Sequence, residues 1–116
     1  MSGLNKVQLI GYLGNDPEFK LTDGGIKILK FRLATSEHYS KNGEKTESTT
    51  WHNVVLFGKI AEVFSNYLTK GKQVYVEGKI DNSDYVDKEG IKRYKSEIIV
   101  RNMFMLGKAD DYSEQN

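Results

Sequence analysis

Two histidines, a scatter of carboxylates and one tryptophan among lysines are the residues in this chain whose chemistry matters. His38 and His52 lie too far apart in sequence to form a metal motif. His52 follows Trp51 and points to the opposite face of an extended segment, as a packed or interface histidine does. No HExxH pattern, phosphate-binding loop or nucleophile elbow is present. Gly11-Tyr12-Leu13-Gly14 superficially suggests a glycine loop, but it lacks the strand–helix context and final glycine of a dinucleotide fingerprint. Asp81 and Asp84 are close together, yet both belong to a hairpin, where carboxylates are solvated. Cysteine is absent, which removes disulfides, thiolate metal sites and thiol nucleophiles. These residues point away from catalysis, and no cofactor or metal is expected.

Aromatic residues interleaved with lysines point elsewhere. A single nucleic-acid strand exposes flat base faces and a charged backbone, so a sequence-tolerant binder needs stacking platforms beside cations. Trp51 and Phe57 fall on one strand face, with Lys59 just beyond. Tyr39 stands beside a long hairpin, and Tyr85 stands in the arm that follows a later strand. Lys70 and Lys72 bracket Gly71. The net charge is only +1, from 17 basic and 16 acidic residues. Asp110, Asp111 and Glu114 concentrate acid near the end; without residues 109–116 the balance is 17 basic to 13 acidic. The body is therefore mildly basic.

The elements that must position these groups are mostly strands. Segments 6–13, 26–36, 49–57, 73–80 and 93–100 alternate or run in β-branched and large apolar residues. In 49–57, Trp51, Asn53, Val55 and Phe57 face one way and His52, Val54 and Leu56 the other. The aliphatic side is the natural core side, which leaves Trp51 outside. In 93–100, Tyr94, Ser96, Ile98 and Val100 share a side. One helix is expected, from Ile60, Val63, Phe64, Tyr67 and Leu68 at three- and four-residue steps. Residues 40–44 and 87–90 read as hairpin tips. Three strands, a helix and two strands make an all-β fold: a five-stranded oligonucleotide-binding Greek-key barrel with one short α-helix between strands 3 and 4. Residues 1–108 are expected to form that domain, and 109–116 a short polar, disordered tail. A length of 116 residues suits one domain. No stretch approaches the roughly 20 apolar residues of a membrane span, and the start MSGLNKVQLIG lacks a signal-peptide run. A cytoplasmic location, without membrane contact, is the expectation.

Several longer strings resemble the bacterial single-stranded DNA-binding protein family. They are Asn5-Lys6-Val7, Gly11-Tyr12-Leu13-Gly14-Asn15-Asp16-Pro17-Glu18 and Leu33-Ala34-Thr35-Ser36-Glu37. Trp51-His52-Asn53-Val54-Val55-Leu56-Phe57-Gly58-Lys59, Ala61-Glu62 and Tyr67-Leu68-Thr69-Lys70-Gly71 follow in order. Val74-Tyr75-Val76-Glu77-Gly78 and Arg93-Tyr94 complete the match, which spans roughly residues 4–107. The resemblance implies a homotetramer that wraps single-stranded DNA during replication, recombination and repair, in association with the nucleoid. It implies bases stacked at Tyr39, Trp51, Phe57 and Tyr85, backbone contacts at Lys59 and Lys70, and a subunit interface near His52. Lys72 joins the set by proximity to Lys70. Tyr39 and Tyr85 stand where well-studied members carry tryptophan, so their π-faces are smaller. Asp81 and Asp84 stand where many relatives are basic or neutral. The family usually adds a Gly/Pro/Gln-rich linker and an acidic tip ending in Pro-Phe, whereas this chain ends in Asp110, Asp111, Tyr112, Ser113, Glu114, Gln115 and Asn116. Recruitment of replication and repair proteins therefore does not carry over from the resemblance. The alternative is an assembly module resembling primosomal replication protein B, with an oligonucleotide-binding-fold nuclease as a third reading.

Overall fold

The computed structural model describes residues 3–107. Its elements are β1 (Val7–Leu13), β2 (Glu18–Leu21), β3 (Lys27–Lys41), β4 (Glu44–Phe57), α1 (Lys59–Ser65), β5 (Gln73–Val86) and β6 (Lys92–Leu106). The sheet order is β1-β5-β6-β4-β3-β2, and β1 also pairs with β3. That second pairing closes five strands into a barrel and leaves β2 on the flank of β3. Closure requires β1 to leave β5 and cross to β3, where Tyr12 meets Ala34 and Leu13 meets Leu33. Gly11 stands at the crossing: a Cβ there would come within 2.2 Å of the Ala34 carbonyl oxygen. The barrel's other seam is short and parallel, Val54 to Ile98 and Val55 to Ile99.

Alternating apolar residues fill the interior. Leu29, Phe31 and Leu33 of β3 meet Val54 and Leu56 of β4, Val74 and Val76 of β5, and Ile98, Val100 and Met103 of β6. Ala61 of α1 and Leu68 join the same cluster. Burial of side chains of this size stabilises by roughly 1.5–3 kcal/mol each before conformational entropy is subtracted.

Two expectations are corrected in detail. The helix lies between β4 and β5 rather than between strands 3 and 4, because β2 adds one strand to the count. All four residues of β2 are exposed, so burial imposes no period-two pattern on them. The helix also stops at Ser65, short of Tyr67 and Leu68. Ser65 Oγ donates to the Glu62 carbonyl at 2.6 Å and Asn66 Nδ2 reaches it at 3.3 Å, so side chains occupy the acceptor that another helical turn would use.

The hairpins are longer than the sequence suggests. The β3–β4 register runs unbroken from Ile28–Phe57 to Lys41–Glu44. Its two-residue turn, Asn42-Gly43, has φ of 53° and 81°, the left-handed pair that matches strand twist. β5 and β6 pair out to Val86–Lys92. Both arms extend beyond the core and are largely exposed there. The expected tail at 109–116 and the boundary at 108 lie outside the described residues.

Candidate nucleic-acid interface

The register assembles one outer face from three strands. On β3, Lys30, Arg32 and Ala34 lie opposite Val55, Asn53 and Trp51 of β4. Val55 lies beside Ile99 of β6, so Glu97 and Lys95, at two-residue steps, share that face. An ion pair across β4, Lys30 to Glu97 at 3.9 Å, is consistent with that assignment. Glu97 also holds Lys95 at 3.9 Å. Tyr85 pairs with Arg93 further along the arm and falls on the same side.

Trp51 sits at the centre of this surface and is 48% exposed, whereas Val54 and Leu56 are fully buried. The alternation expected for this segment is therefore present. Val55 is also buried although it lies on the outer face, near the crossing Lys30–Glu97 pair. The indole rests against Gly14, where a Cβ would come within 2.2 Å of ring atom Cζ3. Only glycine leaves that space. Gly14 is fixed in turn, because its N–H donates to the Arg32 carbonyl at 2.9 Å. Asn15 Oδ1 accepts from the Arg32 N–H at 2.9 Å. The Arg32 guanidinium carbon lies 4.4 Å from the Trp51 ring centroid.

Lys70 and Lys72 reach this corner through β1. The Leu13 N–H donates to the Lys72 carbonyl and the Gly71 N–H to the Leu13 carbonyl, both at 2.9 Å. The Lys70 N–H donates to Asp16 Oδ1 at 2.9 Å. The sequence-distant 70–72 turn is thereby tied to the corner on which Trp51 rests. Neither lysine ammonium has a carboxylate partner among the described residues. Phe57, 44% exposed, lies on the same face of β4, six residues or about 20 Å from Trp51. Lys59 begins α1 two residues later.

Tyr39 is not brought onto this face. It pairs with Thr46, and its position continues the row of Leu29 and Leu33. It is exposed because the hairpin has left the barrel by that point. Trp51, Phe57 and Tyr85 thus share a side that Tyr39 does not.

His52 lies opposite Leu33, half-buried, with Nε2 2.9 Å from Thr35 Oγ1. Burial pushes its pKa below the ordinary histidine value, so the ring is neutral near pH 7. Asp84 pairs with Lys92 at 3.3 Å, and Asp81 is exposed.

Sequence reasoning left Arg32, Tyr94 and Lys95 out of the site. Past the parallel seam the two hairpin arms diverge. Trp51, His52 and Asn53 line one wall of the cleft between them; Tyr94, Lys95 and Ser96 line the other, with Ile98 also in the lining. Tyr94 is 75% exposed, with the Lys92 ammonium 5.7 Å from its ring centroid. Its alternation with Ile98 was visible in the sequence; that the barrel interior ends at Ile98 was not.

Comparison with known proteins agrees with this geometry. The model of the single-strand binding protein family matches residues 4–106. "Single-stranded DNA-binding protein 1" of Chlorobaculum tepidum is 48% identical over 110 residues, 93% of this chain and 68% of that protein. The protein of the same name from Xylella fastidiosa (strain 9a5c) is 44% identical over 113 residues, 96% of this chain and 83% of its own length. Among solved structures, the Plasmodium falciparum SSB complex with ssDNA superposes with a TM-score of 0.85 at 32% identity. It covers 92% of this chain and 98% of that one. A deletion mutant of the single-stranded DNA binding protein from Thermus aquaticus gives 0.80 at 31% identity, covering 92% of this chain and 52% of that one. These relatives do not favour the primosomal alternative. With the family model matched along almost the whole described chain, this protein belongs to the single-strand binding protein family.

Proposed function

We propose that the protein binds and protects single-stranded DNA without reading its sequence, in replication, recombination and repair, and that it makes and breaks no bond. The observation that carries this reading is the half-exposed Trp51, seated on Gly14 within a sheet face that also presents Lys30, Arg32 and Lys95. Exposed rings offer stacking platforms that any base can use, and nearby cations offer counterion release. In this reading Trp51, Phe57 and Tyr85 stack bases along the outer face. Tyr39 stacks on the other side of its arm, so a bound strand passes around the hairpin. Lys59, Lys70 and Lys72 meet phosphates. The structural relative described as a complex with ssDNA supports the choice of ligand.

We further propose a homotetramer with His52 near a subunit boundary. A second exposed face supports assembly: Ile10, Tyr75 and Phe104 form one row across β1, β5 and β6, with exposed Tyr12 beside it. Light scattering checks the mass, with a stable monomer at micromolar concentration the contrary result. For binding, oligothymidine is titrated while indole emission is followed. A single strand should outcompete duplex of equal length, because duplex bases hide their faces. Equal affinity for both would defeat the proposal.

A further inference from the structure

Of Lys30, Arg32, Arg93 and Lys95 on the outer face, Lys30 and Lys95 share Glu97, and Arg93 Nε is held by Asp87 Oδ2 at 2.9 Å. Arg32 has no carboxylate partner among the described residues. It lies instead over the Trp51 ring, 4.4 Å from its centroid. A guanidinium is planar and weakly hydrated, and it stacks on an aromatic face while keeping donors in its plane for phosphate. The placement is built from both sides. Gly14 gives the indole its seat, and the backbone N–H and carbonyl of Arg32 are bonded to the 14–15 turn at 2.9 Å each. Arg32 also lies directly opposite Asn53, which lines the cleft between the two arms.

We propose that Arg32 is a phosphate-contacting residue, held by the Trp51 ring so that its charge meets the backbone of the nucleotide stacked there. The inference rests on the single-strand-binding reading. It adds a cation that acts as one unit with the tryptophan: the ring limits the guanidinium's freedom before a strand arrives, so less ordering is needed on binding. A lysine in its place would keep the charge but lose the stacked plane.

The test is a titration of dye-labelled oligothymidine read by anisotropy across a series of NaCl concentrations, because Trp51→Ala removes the chain's one indole, with melting temperature followed for every variant. Arg32→Gln should weaken binding about fivefold at low salt and reduce the magnitude of the log–log salt slope by about 0.7 per protomer engaged. Arg32→Lys should retain the unmodified protein's slope while binding about twofold more weakly. Trp51→Ala combined with Arg32→Gln should lose less than the product of the two single losses, because either change dismantles the pair. An unchanged slope in Arg32→Gln overturns the phosphate contact even if affinity falls, since a prop for the ring would lower affinity alone. Strictly multiplicative losses overturn the pairing. Failure of the unmodified protein to bind oligothymidine at all would instead sink the reading on which the inference stands.

Discussion

Two faces of the barrel expose aromatic rings, and they differ in the charges that surround those rings. On the β3–β4–β6 side, Trp51 lies among Lys30, Arg32 and Lys95 and borders an open cleft. On the β1–β5–β6 side, Phe104 is 60% exposed, but its ring stacks on Tyr75 at a centroid distance of 5.9 Å, and Tyr75 in turn lies opposite Ile10 of β1. The polar groups there are already engaged. Gln8 Nε2 donates to the Tyr75 hydroxyl at 3.0 Å, and that hydroxyl donates to Glu77 at 2.7 Å. Lys6 lies 4.0 Å from the same carboxylate. An exposed ring is therefore not a binding signal by itself. Unpaired or shared cations make the first face attractive to an anionic polymer, whereas a row of exposed apolar side chains suits the second to another protein surface.

The sharpest test of that contrast is a pair of substitutions. Trp51→Ala should weaken oligothymidine binding tenfold or more, in line with roughly 1–3 kcal/mol per stacked base, while the melting temperature barely moves. Phe104→Asp should reduce the mass measured by light scattering and leave the indole's response to oligothymidine in place. If the effects are exchanged, the faces have been assigned the wrong way round. A core truncation behaves differently from both, at about 3–5 kcal/mol of stability for a buried large aromatic.

A subtler change sharpens the comparison. Gly14→Ala would push the indole off its seat, since the added Cβ lies within 2.2 Å of the ring. The loss of affinity should be several-fold, with folding intact because the displaced group is an exposed side chain. Unchanged affinity would mean that the seat does not matter. Tyr94→Ala should cost less, about two- to threefold, because its ring stands on the far wall of the cleft and already carries Lys92. Fluorescence titration reads both effects.

The smallest effect concerns pH. Asp87 accepts from the N–H groups of Glu89 and Ile91 at 2.9 Å each, as well as from Arg93. The Arg93 guanidinium, with those amides, holds its carboxyl below the ordinary aspartate range. Its contribution to hairpin order is thus fully present above that range and is lost as pH falls through the lowered value. The protection factor of the Ile91 amide, its exchange rate divided into the intrinsic rate at the same pH, should fall on acidification, and Asp87→Asn should flatten that response. An identical pH profile in the variant would remove Asp87 from the account.

Much of this was legible because alternation in 49–57 separates Val54 and Leu56 from Trp51 by chemistry alone, and the burial follows it. Tyr39 was legible as an aromatic beside a hairpin, but its side of the sheet relative to Trp51 was not. Its face depends on where the turn falls, and the Asn42-Gly43 turn sets the register that pairs it with Thr46. Arg32 was invisible for a similar reason: 19 residues separate it from Trp51, and only cross-strand pairing makes them neighbours. β2 escaped because its four exposed residues bury no face.

The short parallel seam has a topological consequence. Only two residue pairs join β4 to β6, so no ladder pairing bridges Trp51, His52 and Asn53 to Tyr94, Lys95 and Ser96 across the cleft. A long polymer can be laid into such a cleft sideways at any internal position, without a free end to thread. On the proposed reading the strand leaves the same way, peeling from one arm before the other, and a strand with no ends at all is bound as readily as a linear one.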